Sequence, residues 1–214
     1  NNILPKILNS SANEKTNFLE ALDGKRISSG PSGAPTRGKL EVLPTGKNFF
    51  SVDIRAIPTE TAWDLGKRSA EQIMELYLQE NGEHLSHLAI SIWGTSTMRN
   101  GGEDICQLFA LMGLRPIWDG TLRRVVDVEV IPLSVLNRPR VDVTLRISGL
   151  FRDAFPQLIE LIRRGQNLIG NLKESSSNNP LANSYRSGNT KSRIYGSAPG
   201  SYGAGLQEII NSGS

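Results

Sequence analysis

The sequence predicts an α/β fold, with a mixed sheet, flanking helices and long ordered Gly/Pro-rich loops. Three observations carry that expectation. "HLAISIW" (87–93) is a short apolar run of strand length. "GGEDICQLFALM" follows it with Ile105, Leu108, Phe109 and Met112 at helical spacing. "VVDVEVI" (125–131) and "VDVTLRI" (141–147) then alternate apolar with polar residues, which leaves one sheet face less buried than in an all-parallel core.

The elements follow in chain order. Residues 1–58, rich in Gly, Pro, Ser and Asn, read as an irregular N-terminal segment packed on the domain, with a short helix around "NEKTNFLEAL". In its run from 30 to 58, Phe49, Phe50, Val52 and Ile54 argue for order. The α/β core takes 59–172. Thr59 or Thr61 caps a helix reaching about Gln79, with Ala62, Leu65, Ser69, Ile73, Met74 and Tyr77 on one face. A strand at 88–93, the loop "GTSTMRN", a helix stopped by Gly113 and a strand "RPIW" give a β-α-β order with a right-handed crossover. From Arg152 a helix runs to about Leu172, with Ala154, Phe155, Leu158, Ile159 and Ile162 on one face. Residues 173–192 have linker composition, and 193–214 read as a Gly-rich loop entering a helix. That unfinished pattern and the missing initial Met suggest a piece of a larger chain.

Charge and composition exclude several classes. Twenty-four Lys and Arg against 21 Asp and Glu leave a net charge of only +3, and no basic run interleaves with aromatics, so no nucleic-acid partner is expected. No apolar stretch approaches the roughly 20 residues of a membrane helix, and "NNILPKILNSSANEK" lacks the features of a signal peptide. The single cysteine, Cys106, excludes an internal disulfide and fits a reducing cytoplasm.

Candidate chemistry is sparse. "GAPTRGKL" (33–40) approaches a phosphate-binding loop, but Leu40 stands where the Mg²⁺-binding hydroxyl belongs and no strand precedes it, so nucleotide binding is not expected. His84 and His87 are spaced i, i+3 in a polar connection without a third ligand, so no metal site is expected either. No G-x-S-x-G elbow occurs. "WGTSTMRNGGEDI" is more informative, because it leaves the carboxyl end of a strand and feeds a helix N-terminus. Thr95, Ser96, Thr97 and Arg99 could receive an anionic or carbonyl-bearing ligand there; equally, Asn100 could cap the helix while Glu103 and Asp104 complement its dipole. Asp142, Thr144 and Arg146 share a strand face, the outer two about 13 Å apart by strand rise. Arg152 and Asp153 open the next helix.

Six segments in order, "GPSGAPTRG", "LPTGKNFFSVDIRAIPT", "WGTSTMRNGGEDI", "RPRVDVTLRISGLFRDAFP", "NNPL" and "RIYGSAPGSYGAGL", resemble the C-terminal part of the large subunit of aerobic cobaltochelatase, the CobN family. The magnesium chelatase H subunit is a relative, and "GPSGAPTRG" favours the cobalt branch. The resemblance implies ATP-dependent insertion of Co²⁺ into hydrogenobyrinic acid a,c-diamide for cobalamin; in the magnesium branch the reaction is Mg²⁺ into protoporphyrin IX. It implies ATP and Mg²⁺ used on separate AAA+ ATPase and adaptor subunits, with no cofactor bound by this chain. On that reading the candidate tetrapyrrole contacts are Thr45, Lys47, Asn48, Trp93, Thr95, Ser96, Arg99, Glu103, Arg146 and Tyr202, from loops expected to share one cleft. The family's His-Gly-x-x-Glu segment, its favoured carrier of metal insertion, is expected upstream, and neither histidine here has its pattern. The stretch between "NNPL" and "RIYGS" is shorter than in relatives. A second expectation is a non-catalytic module that docks the ATPase partners.

Overall fold

The structure, a computed structural model, describes residues 3–31, 35, 40–47, 53–120, 123–188 and 191–202. It divides into two units, Asn1–Asp53 and Ile54–Ser214.

The first unit is less irregular than its composition suggests. Helix α1 spans Ile3–Leu22. Pro5 lies in its first turn, where a missing N–H costs nothing, so a proline that reads as a breaker is tolerated. One side of α1 holds the segment that follows Leu40–Val42: the Thr45 N–H donates to Ser10 Oγ at 2.9 Å, and Asn17 Nδ2 donates to the Gly46 carbonyl at 2.9 Å. Much of the expected ordered run from 30 to 58 falls outside the described residues.

The second unit begins with α2, Glu60–Asn81, capped by the Thr59 hydroxyl, which accepts from the Ala62 N–H at 3.1 Å. Its buried stripe is Ala62, Gly66, Ala70 and Met74, while Leu65 of the expected face is exposed. The stripe is built of small residues because α4, Glu103–Met112, packs closely on it. A Cβ on Gly66 would stand 2.6 Å from both Cys106 Cβ and the Gln107 nitrogen. Helix α4 is buried nearly all round, from Ile105 through Met112 apart from the half-buried Gln107.

Parallel and antiparallel pairing are both present, divided between two sheets. β1 (His87–Ile92) pairs in parallel with β4 (Asp142–Ile147), and β4 with β5 (Ile194–Gly196), giving the order β1-β4-β5. β2 (Leu114–Trp118) and β3 (Val125–Val130) form a separate antiparallel ribbon. The expected β-α-β return of "RPIW" beside β1 is therefore corrected. Asp119–Gly120 begins a tight connection in which the Asp119 N–H donates to the Arg124 carbonyl, so a local hairpin captures β2 before a crossover can. Three more expectations change. "GTSTMRN" is not a loop but α3, Gly94–Asn100. The helix drawn from Arg152 breaks into α6 (Gly149–Ala154) and α7 (Pro156–Gly170), because Pro156 biases Phe155 away from helical geometry. The linker 173–192 contains α8, Pro180–Arg186, whose Leu181 and Ala182 are buried; Asn179 caps it and Pro180 opens it. A short helix α5, Leu133–Leu136, precedes β4.

One buried cation joins these parts. Arg140, 1% exposed, donates to both carboxylate oxygens of Glu174 (2.8 and 2.9 Å), to the carbonyls of Met112 and Gly113, and to that of Ile131. Arg138 donates to the carbonyls of Ala110 and Leu111, so the two arginines of "RPR" satisfy the open C-terminal end of α4. Burial pulls the Arg138 pKa down to about 10, which leaves it charged at neutral pH. Burial also works to raise Glu174, but hydrogen bonds from Arg140 and Asn179 and the Arg140 charge outweigh it and hold the carboxyl below its ordinary 4.5.

Three substitutions test this arrangement. Arg140→Ala should cost about 3–5 kcal/mol in urea denaturation, since it strands a buried carboxylate and several carbonyls. Arg115→Ala, in an ion pair with Glu129 whose side chains are 57% and 41% exposed, should cost under about 1 kcal/mol. Because the folded Glu174 pKa is depressed, its contribution is complete above 4.5 and disappears as pH falls through the folded value. Glu174→Gln should flatten that acid limb of the stability profile while lowering stability at pH 7.

Candidate functional site

Parallel strands leave their carboxyl ends free of hairpins, and ligand crevices of open α/β sheets lie there. In the β1-β4-β5 sheet, the side bearing Ile92, Val143, Leu145 and Ile147 is buried against the helices. The opposite side carries Ala89, Ser91 and Trp93 from β1 and its end, Thr144 and Arg146 from β4, and Tyr195 from β5. A cleft of about 420 Å³ opens over this second side. The register sets Ser91, Arg146 and Tyr195 in one row across the three strands. Ser91, Arg146 and Tyr195 are all exposed, and Trp93 is 49% exposed at the cleft's end.

Local structure around the row is closely fixed. Ser148 Oγ accepts from the Phe151 N–H, capping α6, and from the Gly94 N–H at the start of α3. Gly149 lies directly beneath the 196–202 segment: a Cβ there would be 1.9 Å from the Ser201 carbonyl oxygen. Asp153 of α6 accepts from the Gly200 N–H and from the Tyr202 hydroxyl at 2.7 Å, which raises the Tyr202 pKa. At the other end, Arg193 clasps Asp142 with contacts of 2.9, 3.0 and 3.1 Å. Hydrogen bonding to Asp142 raises the Arg193 pKa, so the guanidinium stays charged. Thus β5 is attached to β4 by an ion pair before it, and the segment after it is attached to α6 by the Asp153 contacts.

The expected site residues separate into groups. Trp93 and Arg146 line the cleft together. Thr95, Ser96 and Arg99 do not, because 94–100 winds into a helix that carries Arg99 to its last turn. Glu103 lies half-buried in the first turn of α4, where Asn100 Oδ1 accepts from the Gly102 and Glu103 N–H groups, as the capping alternative anticipated. Burial raises the neighbouring Asp104 pKa, offset in part by its hydrogen bond with Asn100. Tyr202 is held by Asp153. Thr45 and Lys47 belong to the first unit: Thr45 is buried and its hydroxyl bonds Glu14, whereas Lys47 is exposed. Asn48 lies outside the described residues. Among the described residues, no group of three or more His, Cys, Asp or Glu could hold a metal ion, and no helix is long and apolar enough to cross a membrane.

Sequence reasoning missed Ser91, Tyr195 and Arg193. Ser91 and Tyr195 carry no signal until the strand register is known. Arg193 carried no signal for pairing with Asp142, because Arg140 and Arg146 stand nearer in sequence and only the fold shows Arg140 held by Glu174. Arg193→Ala should leave Asp142 buried and uncompensated and cost about 3 kcal/mol or more. Hydrogen exchange should show the loss first as faster exchange in β5 and at Leu145, whose N–H donates to the Arg193 carbonyl; unchanged exchange there would contradict the clasp.

Comparison with known proteins agrees with this architecture. The CobN/magnesium chelatase family model matches residues 1–214. The chain is 50% identical over 209 residues to the aerobic cobaltochelatase subunit CobN of Pseudomonas aeruginosa, covering 90% of this chain and 17% of that protein. It is 33% identical over 214 residues to the chloroplastic magnesium-chelatase subunit ChlH of Oryza sativa subsp. japonica, covering 94% of this chain and 15% of the relative. The solved catalytic subunit of cobaltochelatase from Mycobacterium tuberculosis superposes with a TM-score of 0.77 at 43% identity, over 99% of this chain and 19% of that one.

Proposed function

The chain belongs to the CobN/magnesium chelatase family, and we propose that it supplies a substrate-binding part of the large subunit of an ATP-dependent cobaltochelatase. It spans only about 17% of the length of the Pseudomonas aeruginosa relative. In this reading the complete subunit, acting in the cytoplasm, inserts Co²⁺ into hydrogenobyrinic acid a,c-diamide during cobalamin formation. Identity of 50% to a CobN subunit against 33% to a magnesium-chelatase subunit supports the cobalt branch.

The observation that carries the reading is the cleft, with Arg146 between Ser91 and Tyr195 and Trp93 at the carboxyl end of the sheet. A tetrapyrrole is a broad apolar ring edged by carboxylate and amide side chains. The exposed faces of Trp93 and Tyr195 suit the ring, and the Arg146 guanidinium suits its polar edge. Fixing the macrocycle in one orientation is itself catalytic, because metal insertion requires the ring nitrogens to meet a partly dehydrated ion in a defined geometry. Arg99, exposed in the last turn of α3, is proposed as an outer contact. Deprotonation of the ring and delivery of cobalt, the second substrate, are assigned to the rest of the subunit. ATP hydrolysis is assigned to AAA+ ATPase partners with their adaptor.

One observation favours the second reading, a docking module for those partners: Leu4, Leu8, Phe18 and Leu22 of α1 are each at least 64% exposed. The full-length subunit discriminates the two. Arg146→Ala should weaken tetrapyrrole binding, followed by absorbance or fluorescence quenching, by about 1.5–3 kcal/mol, with stability changed by under about 0.5 kcal/mol. Arg99→Ala should cost less, about 1 kcal/mol. Unchanged ring affinity in both, with lost coupling to ATP hydrolysis, would favour docking instead.

A further inference from the structure

Arg146 lacks what an arginine on an exposed strand face ordinarily finds. On the β2-β3 ribbon, Arg115 stands opposite Glu129 and pairs with it. Arg146 stands opposite Ser91 and Tyr195, and among the described residues its side chain makes no hydrogen bond or ion pair. Among the described residues, no Asp or Glu lines the cleft. The acid sharing its strand face, Asp142, lies four residues away and is already held by Arg193. The positive charge of Arg146 therefore faces the cleft uncompensated.

The surroundings suit a polar ligand better than a covering helix. All-parallel sheets ordinarily have both faces covered, yet among the described residues nothing packs over this side of the β1-β4-β5 sheet. A packed helix would need apolar side chains beneath it, whereas the floor offers Ser91, Thr144 and Ser197, none of whose hydroxyls is bonded within the described residues. These groups can accompany a ligand oxygen already held by the guanidinium.

We propose that this cleft is a carboxylate-selective subsite: Arg146, with Ser91 and Tyr195 beside it, binds one ionised carboxylate side chain of the tetrapyrrole and rejects the corresponding amide. The inference rests on the cleft being a ring-binding site, as proposed above. A guanidinium only donates, and its parallel N–H groups match the two oxygens of a carboxylate. A primary amide offers one acceptor oxygen and turns an NH₂ group toward those same donors. The subsite thus reads the amidation state of a side chain.

The test uses the full-length subunit and two metal-free probes: hydrogenobyrinic acid a,c-diamide, and the same ring with its remaining carboxylates converted to primary amides. Wild type should bind the carboxylate ring more tightly. Arg146→Met should weaken that binding roughly 10- to 100-fold, the loss of one charge-assisted contact, while changing affinity for the amide ring less than about threefold. Arg146→Lys, which keeps the charge and loses the fork, should fall between. Equal losses for both rings, with the melting temperature unchanged, would overturn the carboxylate reading while leaving the ring site standing; no loss for either would remove Arg146 from ring binding and the subsite with it. If wild type bound neither ring, the ring site itself would fail, and the subsite with it.

Discussion

The buried Arg140 guanidinium is the constraint on which the second unit depends. A fully desolvated charge is tolerated only when its donors are satisfied, and Arg140 meets that demand by drawing together the end of α4, the residue following β3 and the connection between α7 and α8. Glu174, its counter-ion, also accepts from Asn179, the residue that caps α8. One ionic centre therefore fixes segments far apart in sequence. Its neighbour Val141 donates to the Leu111 carbonyl, and β4 begins immediately afterwards. The register of β4 is set from this point, and that register determines that Thr144 and Arg146 face the open side while Val143 and Leu145 face the core.

What could be read from the sequence follows from how local each signal is. Helices α2 and α4 and the strands β1, β3 and β4 were legible because their periodicity needs no partner. Pairing was not: β2 joins β3 in a hairpin rather than returning beside β1, and apolar periodicity does not say which partner a strand takes. Helix α8 was hidden in polar composition, although Asn179–Pro180 combines a cap with a preferred first helical residue. "RPR" was recognisable as a motif long before its role was clear, since the carbonyls it satisfies belong to a helix about 27 residues earlier.

The site shows the same division. Arg146 and Trp93 were accessible from strand alternation and from the rule that α/β ligands gather at strand ends. Ser91 and Tyr195 join them only through three-strand register, which no single segment encodes. Arg99 illustrates the converse: read as a loop, its segment seemed to converge on the cleft, but helix formation turns it along α3. The family resemblance identified the kind of protein, while the strand register brings Trp93, Arg146 and Tyr195 to one cleft within the second unit.

Oxidative footprinting of the full-length subunit with and without its tetrapyrrole tests the central claim most directly, because it reads contact at the cleft without altering it. Trp93 and Tyr195 are 49% and 52% exposed and are reactive aromatic reporters on opposite sides of Arg146. The account predicts that saturating ring lowers the modification rate of both several-fold. Unchanged rates at both residues, under conditions where absorbance shows the ring to be bound, would contradict it.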